Sequence, residues 1–131
     1  MRLIRVQVVL CAVLMLSVAC RSGQPLKVET VQVGRTLNSD KSVGTITTRF
    51  KPTDTMYAAV ITQGEGSGTI EARWTGLGRV IAEQKKDVSY HDRAATEFHI
   101  ELAGGFPPGS YKVELLLDGQ SIATRDLTVE N

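Results

Sequence analysis

Residues 26–131 predict an all-β fold, a sandwich of about seven or eight antiparallel strands, and three observations predict it. Short segments alternate apolar and polar side chains every second residue, the period of a strand with one wet face. Glycine, proline, asparagine and aspartate separate those segments at short intervals. No stretch beyond residue 26 carries an apolar stripe at the helical spacing of about 3.6 residues. A sheet that is apolar on one face must bury that face, so this many strands in one short chain calls for two stacked layers.

The first strand contains Val28, Val31 and Val33, alternates imperfectly and ends at Gly34. Asn38, Ser39, Asp40 and Lys41 make a loop, and residues 43–50 hold the β-branched run Thr45, Ile46, Thr47 and Thr48, the composition of an edge strand. Pro52, which has no N–H for a central ladder, turns the chain with Lys51, Thr53 and Asp54. Residues 56–62 form a stronger strand, and Gly64, Gly66 and Gly68 make a flexible link after it. Residues 69–74 then alternate cleanly, with Ile70, Ala72 and Trp74 inward and Thr69, Glu71 and Arg73 toward water.

Gly76, Leu77 and Gly78 end that strand. Residues 79–88 begin apolar at Val80, Ile81 and Ala82 and become charged at Glu83, Lys85, Lys86 and Asp87, as a strand at an exposed edge does; a short helix is the alternative. Residues 96–102 place Phe98, Ile100 and Leu102 on one face and Glu97, His99 and Glu101 on the other. After a Gly- and Pro-rich loop over residues 104–109, Tyr111, Val113, Leu115 and Leu117 share a face. Asp118 and Gly119 supply the left-handed turn that a hairpin favours, and residues 122–129 return with Leu127 and Val129 inward and an irregularity near Ile122 and Ala123.

A chain of 131 residues accommodates one such domain. Charged residues make up 22% and the net charge is +1, a balance that excludes nucleic acid as the expected partner. Aromatics are only 5%, so the core rests on Val, Ile, Leu and Ala and each ring counts singly.

The N-terminus is organised differently. Arg2 and Arg5 precede an apolar stretch from residue 6 to residue 19 that is interrupted only by Gln7 and Ser17, the make-up of a secretory signal and shorter than the roughly 20 residues of a membrane-spanning helix. Ser17, Val18, Ala19 and Cys20, after Leu16, resemble the bacterial lipobox, departing from it at Ser17, where leucine is usual. Ser17 and Ala19 also suit the ordinary signal peptidase. The lipobox resemblance implies cleavage before Cys20, a diacylglycerol on its thiol and an acylated amine, hence a stable hold on a membrane. Arg21, where aspartate would favour the inner membrane, implies an outer membrane facing the periplasm.

The expected organisation is therefore a signal peptide over residues 1–19, an acylated Cys20 with a polar tether over residues 20–25, and the sandwich over residues 26–131. Cleavage leaves 13 basic against 14 acidic side chains and Cys20 as the single cysteine, so no disulfide forms within the mature domain.

Trp74 on a middle strand, and Pro108, Gly109, Ser110 and Tyr111 leading into an alternating strand, resemble the core tryptophan and corner tyrosine of immunoglobulin-like and fibronectin-type sandwiches. That resemblance implies a core built on Trp74, Phe98 and Tyr111, with the Tyr111 hydroxyl bonded to nearby backbone, and it carries no activity.

Chemistry-bearing residues are sparse. His91 and His99 lack the clustered ligands of a metal site, serines lack a nucleophile elbow, and the glycines at 64–68 lack the lysine and helix of a phosphate loop. No cofactor is expected. Glu97, Glu101 and Glu114 read as cross-strand partners of Lys112 or Arg73. Candidates for partner contact are Phe106, an aromatic between glycines and prolines whose other reading is to fold back over the end of the sandwich, and the basic strip of Lys85, Lys86 and Arg79, whose other reading is a solvated edge. The leading expectation is a non-enzymatic envelope lipoprotein that binds or assembles with another envelope protein. The alternatives are a glycan- or small-ligand-binding domain, which would need an exposed aromatic platform, and a small envelope enzyme.

Overall fold

Period-two alternation becomes eight strands in the computed structural model, which describes residues 26–131: β1 (Lys27–Gly34), β2 (Arg49–Phe50), β3 (Met56–Gln63), β4 (Gly66–Gly76), β5 (Arg79–Tyr90), β6 (Ala94–Ile100), β7 (Gly109–Leu117) and β8 (Gln120–Val129). They form two sheets, one in the order β1-β3-β6 and one in the order β2-β8-β7-β4-β5. The expected signal peptide, acylated Cys20 and tether lie outside these residues.

The sandwich closes on side chains that alternation turns inward. Trp74, Ile70, Ala72, Val113, Leu115 and Leu127 from the five-stranded sheet meet Met56, Ala58, Val60, Phe98, Val31 and Val33 from the other. Trp74 is 1% exposed and Phe98 2%, so the three rings expected inside the core, Tyr111 included, are there. The Tyr111 hydroxyl donates to the Pro107 carbonyl at 2.6 Å, the corner expected of it, and burial pushes its phenol above the ordinary value.

Irregularities fall where alternation faltered. β1 carries a bulge between Val28 and Thr30. In the β7–β8 hairpin Leu115 pairs with Ala123 but Leu116 with Ser121, so Ile122 is the extra residue. Asp118 (φ 50°) and Gly119 (φ 81°) form the two-residue turn.

Three expectations need correction. Residues 43–50 are not one edge strand: only Arg49 and Phe50 form a ladder, parallel with β8 where the other described ladders are antiparallel, while Val43 and Ile46 make isolated bridges to Leu37 and Gly34. Before them the chain crosses the outer side of β3, where Val43 covers Ala59 and Ile61. Both faces of β3 are thus buried, and a regular edge strand could not supply that cover. The link after β3 is also shorter than expected, because β4 already pairs from Gly66, opposite Tyr90. Leu102 does not continue the inward face of β6 and is 50% exposed beyond its end.

The registers define two ends. Lys27 opposite Gln63 and Gly66 opposite Tyr90 put Leu26 at one end, with the Asp118–Gly119 turn. Gly34 opposite Tyr57, Met56 opposite Ile100, and Gly76 opposite both Arg79 and Tyr111 mark the other. At that far end Gly76 lies against the Tyr111 ring, where a Cβ would come within 2.4 Å of Cδ1. Gly76→Ala should therefore displace the Tyr111 ring and cost about 1 to 3 kcal/mol, the usual range for overpacking, read as a lowered midpoint in urea denaturation; an unchanged midpoint would show the ring free to move.

Candidate functional site

Between β5 and β6 the two sheets meet along a seam that side chains close. On β5 the residues Ala82, Gln84, Lys86, Val88 and Tyr90 turn toward the interior while Glu83, Lys85, Asp87 and Ser89 face water. β6 is an edge strand whose outer carbonyls need donors. Gln84 Nε2 donates to the His99 carbonyl at 2.9 Å, Lys86 Nζ donates to the Glu97 carbonyl, and the Tyr90 and Thr96 hydroxyls bond at 2.8 Å.

The seam corrects the expected basic strip. Lys85 and Lys86 lie on opposite faces of β5, as neighbours in a strand must. Lys86 is held at the seam, 3.5 Å from Glu97 Oε1 and 5.1 Å from the Phe98 ring centroid. Glu97 also accepts from His99 at 3.0 Å. Burial pushes the Glu97 carboxyl up, but the His99 hydrogen bond and the Lys86 charge outweigh it and hold it below its ordinary value.

The seam stops at Gln84. Toward Arg79 the next inward residue is Ala82, too small to reach β6, and an apolar groove of about 330 Å³ opens there. Leu77 and Ile81 form one wall and Ile100 and Leu102 the other, over Phe106 and Tyr111. Arg79 and Glu101 stand beside it, and Leu77 (54% exposed), Val80 (52%), Ile81 (40%) and Leu102 (50%) offer apolar surface to solvent. Of its two readings Phe106 takes the second, and its candidacy as a projecting contact is corrected: it is 5% exposed, meets the Tyr111 ring edge-on at 5.8 Å and packs beneath the groove. No pattern joined these side chains in the sequence, because they come from a turn, a strand start, a strand end and a loop.

Leu77 is held against its preference. It is the first residue of the two-residue turn joining β4 to β5, at φ 52°, with Gly78 at φ 84°. Such turns favour asparagine or glycine, and a left-handed backbone costs other residues roughly 1 kcal/mol. The leucine offsets little of that cost through burial.

Elsewhere polar side chains are used in pairs. Arg73, at the centre of the outer face of the five-stranded sheet, meets Glu83 at 3.0 Å, Glu114 at 3.2 Å and Glu71 at 3.9 Å, and the Glu83 hydrogen bond is the main cause that holds its guanidinium above the ordinary value. Lys112 meets Asp126 at 4.0 Å and not a glutamate. His91 meets Glu65 at 3.0 Å, and among the described residues no three His, Cys, Asp or Glu side chains come together as a metal would need. Of the seven aromatic rings, five are buried and Tyr57 and Tyr90 are half-buried, which leaves no exposed stacking platform.

Two outcomes are expected. Leu77→Asn should raise stability by about 0.5 to 1 kcal/mol by relieving the turn, visible as a higher melting temperature; a lower one would show that Leu77 is a packing residue. Because the Glu97 carboxyl titrates lower in the folded chain than in the unfolded one, its contribution is full above pH 4.5, its ordinary value, and is lost as pH falls through the folded value. Glu97→Gln should therefore make the melting temperature fall less steeply with acidification below that pH, and parallel curves would remove Glu97 from the acid response.

No family model and no curated protein matches the chain by sequence. Solved structures do resemble it. An immunoglobulin-like protein from Pseudomonas aeruginosa superposes with a TM-score of 0.58 at 10% identity, over 83% of this chain and 99% of that one. An alkylpurine DNA glycosylase from Pseudomonas fluorescens gives 0.52 at 11% identity, over 81% of this chain and 30% of the enzyme. A β-glucosidase from Listeria innocua gives 0.51 at 9% identity, over 84% of this chain and 16% of the enzyme. In both enzymes the likeness covers a minor part of the protein, so their activities do not come with it. What is shared at such identities is the fold, an immunoglobulin-like β-sandwich.

Proposed function

We propose that the chain is an exported lipoprotein, held to a membrane by acyl chains on Cys20, whose sandwich is a non-enzymatic interaction module for another protein of the cell envelope. The observation that carries the interaction half is Leu77, half-exposed on a left-handed backbone beside an apolar groove. Strain kept at an exposed apolar side chain serves a contact better than it serves the fold. The pairing of the histidines and most central charges with neighbours supports a binding role over an enzymatic one. The burial of Trp74 and Phe106 removes the aromatic platform that a glycan-binding reading needs.

The anchoring half rests on the lipobox-like run ending at Cys20, and Arg21 after it favours the outer membrane where the host has one. Mass spectrometry of the chain purified from its host should find Cys20 at the N-terminus carrying diacylglycerol and an amide-linked acyl chain, and Cys20→Ala should move the protein out of the membrane fraction. An uncut leader or an unmodified Cys20 thiol would overturn this half.

A further inference from the structure

Beside the groove, the same end of the sandwich gathers positive charge. Arg49 and Lys51 flank Phe50, which is 1% exposed, so strand alternation turns both outward. Arg35 lies alongside because its N–H donates to the Thr45 carbonyl at 3.0 Å and the Thr47 N–H donates to the Val33 carbonyl at 3.1 Å. With Thr47, Glu130 and Asn131 these cations line a cleft of about 280 Å³ over Phe50. Among the described residues none of the three charged side-chain groups has a carboxylate oxygen within 4.0 Å, in contrast to Arg73 and Arg93, and the Asp54 carboxylate nearby is engaged by the Lys51 backbone N–H at 2.7 Å. Glu130 is the one carboxylate side chain lining the cleft, and with Asp54 beside it three cations still outnumber the carboxylates.

Cleft and groove lie at one end of the sandwich, the cleft on its β2 side and the groove on its β5 side. Lys51 is followed by Pro52, whose carbonyl accepts the Phe106 N–H at 2.8 Å, and Phe106 underlies the groove. In the sheet order β2-β8-β7-β4-β5, three to four strand spacings separate β2 from β4 and β5, about 14 to 19 Å, which four to six extended residues span. We propose that this end docks an extended protein segment that is apolar where it enters the groove and acidic where it crosses the cleft. Arg79 and Glu101 balance each other beside the groove, which leaves it to select apolar side chains, whereas the cleft selects acidic ones, and that difference sets the polarity.

This deepens the interaction reading above and rests on it. A protein occupant is favoured over the anchoring bilayer by position. Leu26 is at the opposite end, residues 21–25 extend at most about 18 Å, and the eight residues of β1 alone run about 26 Å in the other direction.

The test places a photo-crosslinking amino acid at Leu102, at Thr48, and at Gln120 and Thr124 as controls, in the full chain in its host, and sequences the adducts. The proposal expects Leu102 and Thr48 to capture one segment of one protein, apolar at the first contact and rich in Asp or Glu at the second. Arg49→Glu with Lys51→Glu, both exposed positions, should lower the yield at least fivefold; the milder Arg49→Gln with Lys51→Gln should lower it less, and thermal melts confirm that each variant folds. Captured segments without acidic residues, an unchanged yield, or adducts only to lipid or to a second copy of the chain would overturn it. Capture at Gln120 or Thr124 with silence at Leu102 and Thr48 would overturn the docking site and leave the interaction module standing. Silence at every position would overturn both.

Discussion

A buried indole N–H must find an acceptor, and in this sandwich the acceptor that Trp74 finds ties the two layers together. Trp74 Nε1 donates to Gln84 Oε1 at 3.0 Å, and Gln84 Nε2 donates to the His99 carbonyl at 2.9 Å. One amide therefore satisfies the largest core side chain and an edge carbonyl of the opposite sheet. The seam that continues through Lys86 and Tyr90 leaves β6 without a free edge for stray pairing, while charges along the middle of β5 guard the edge that faces it.

The same relay decides where the surface opens. Gln84 is the last long inward side chain of β5, and the small Ala82 next to it leaves the sheets apart at their ends. The groove is thus a boundary of the core, lined by the continuation of the faces that elsewhere meet.

Much of this was legible in the sequence because alternation is a local signal. The strands around Ile70, Ala72 and Trp74 and around Tyr111 to Leu117, the Asp118–Gly119 turn and the misfit near Ile122 each follow from a few adjacent residues. Residues 43–50 misled because β-branched composition marks a half-buried surface and does not say which surface; Val43 is spent covering β3. Lys86 misled for the opposite reason, since a lysine in a charged run looks exposed until a partner strand is placed beside it, and Phe106 kept two readings until its neighbours were in place. The groove and the cleft stayed hidden because each joins segments far apart in the chain.

The parallel pairing of β2 with β8 ties Arg49 and Phe50 to Thr128 and Val129, across more than half the chain. Phe50 belongs to the core, so the hydrophobic interior is unfinished until the final strand arrives. Contacts this remote form late, since a long loop must close before they contribute. A polypeptide emerging N-terminus first would thus stay open until almost all of it had passed, and the cationic cleft beside Phe50 would be among the last features assembled.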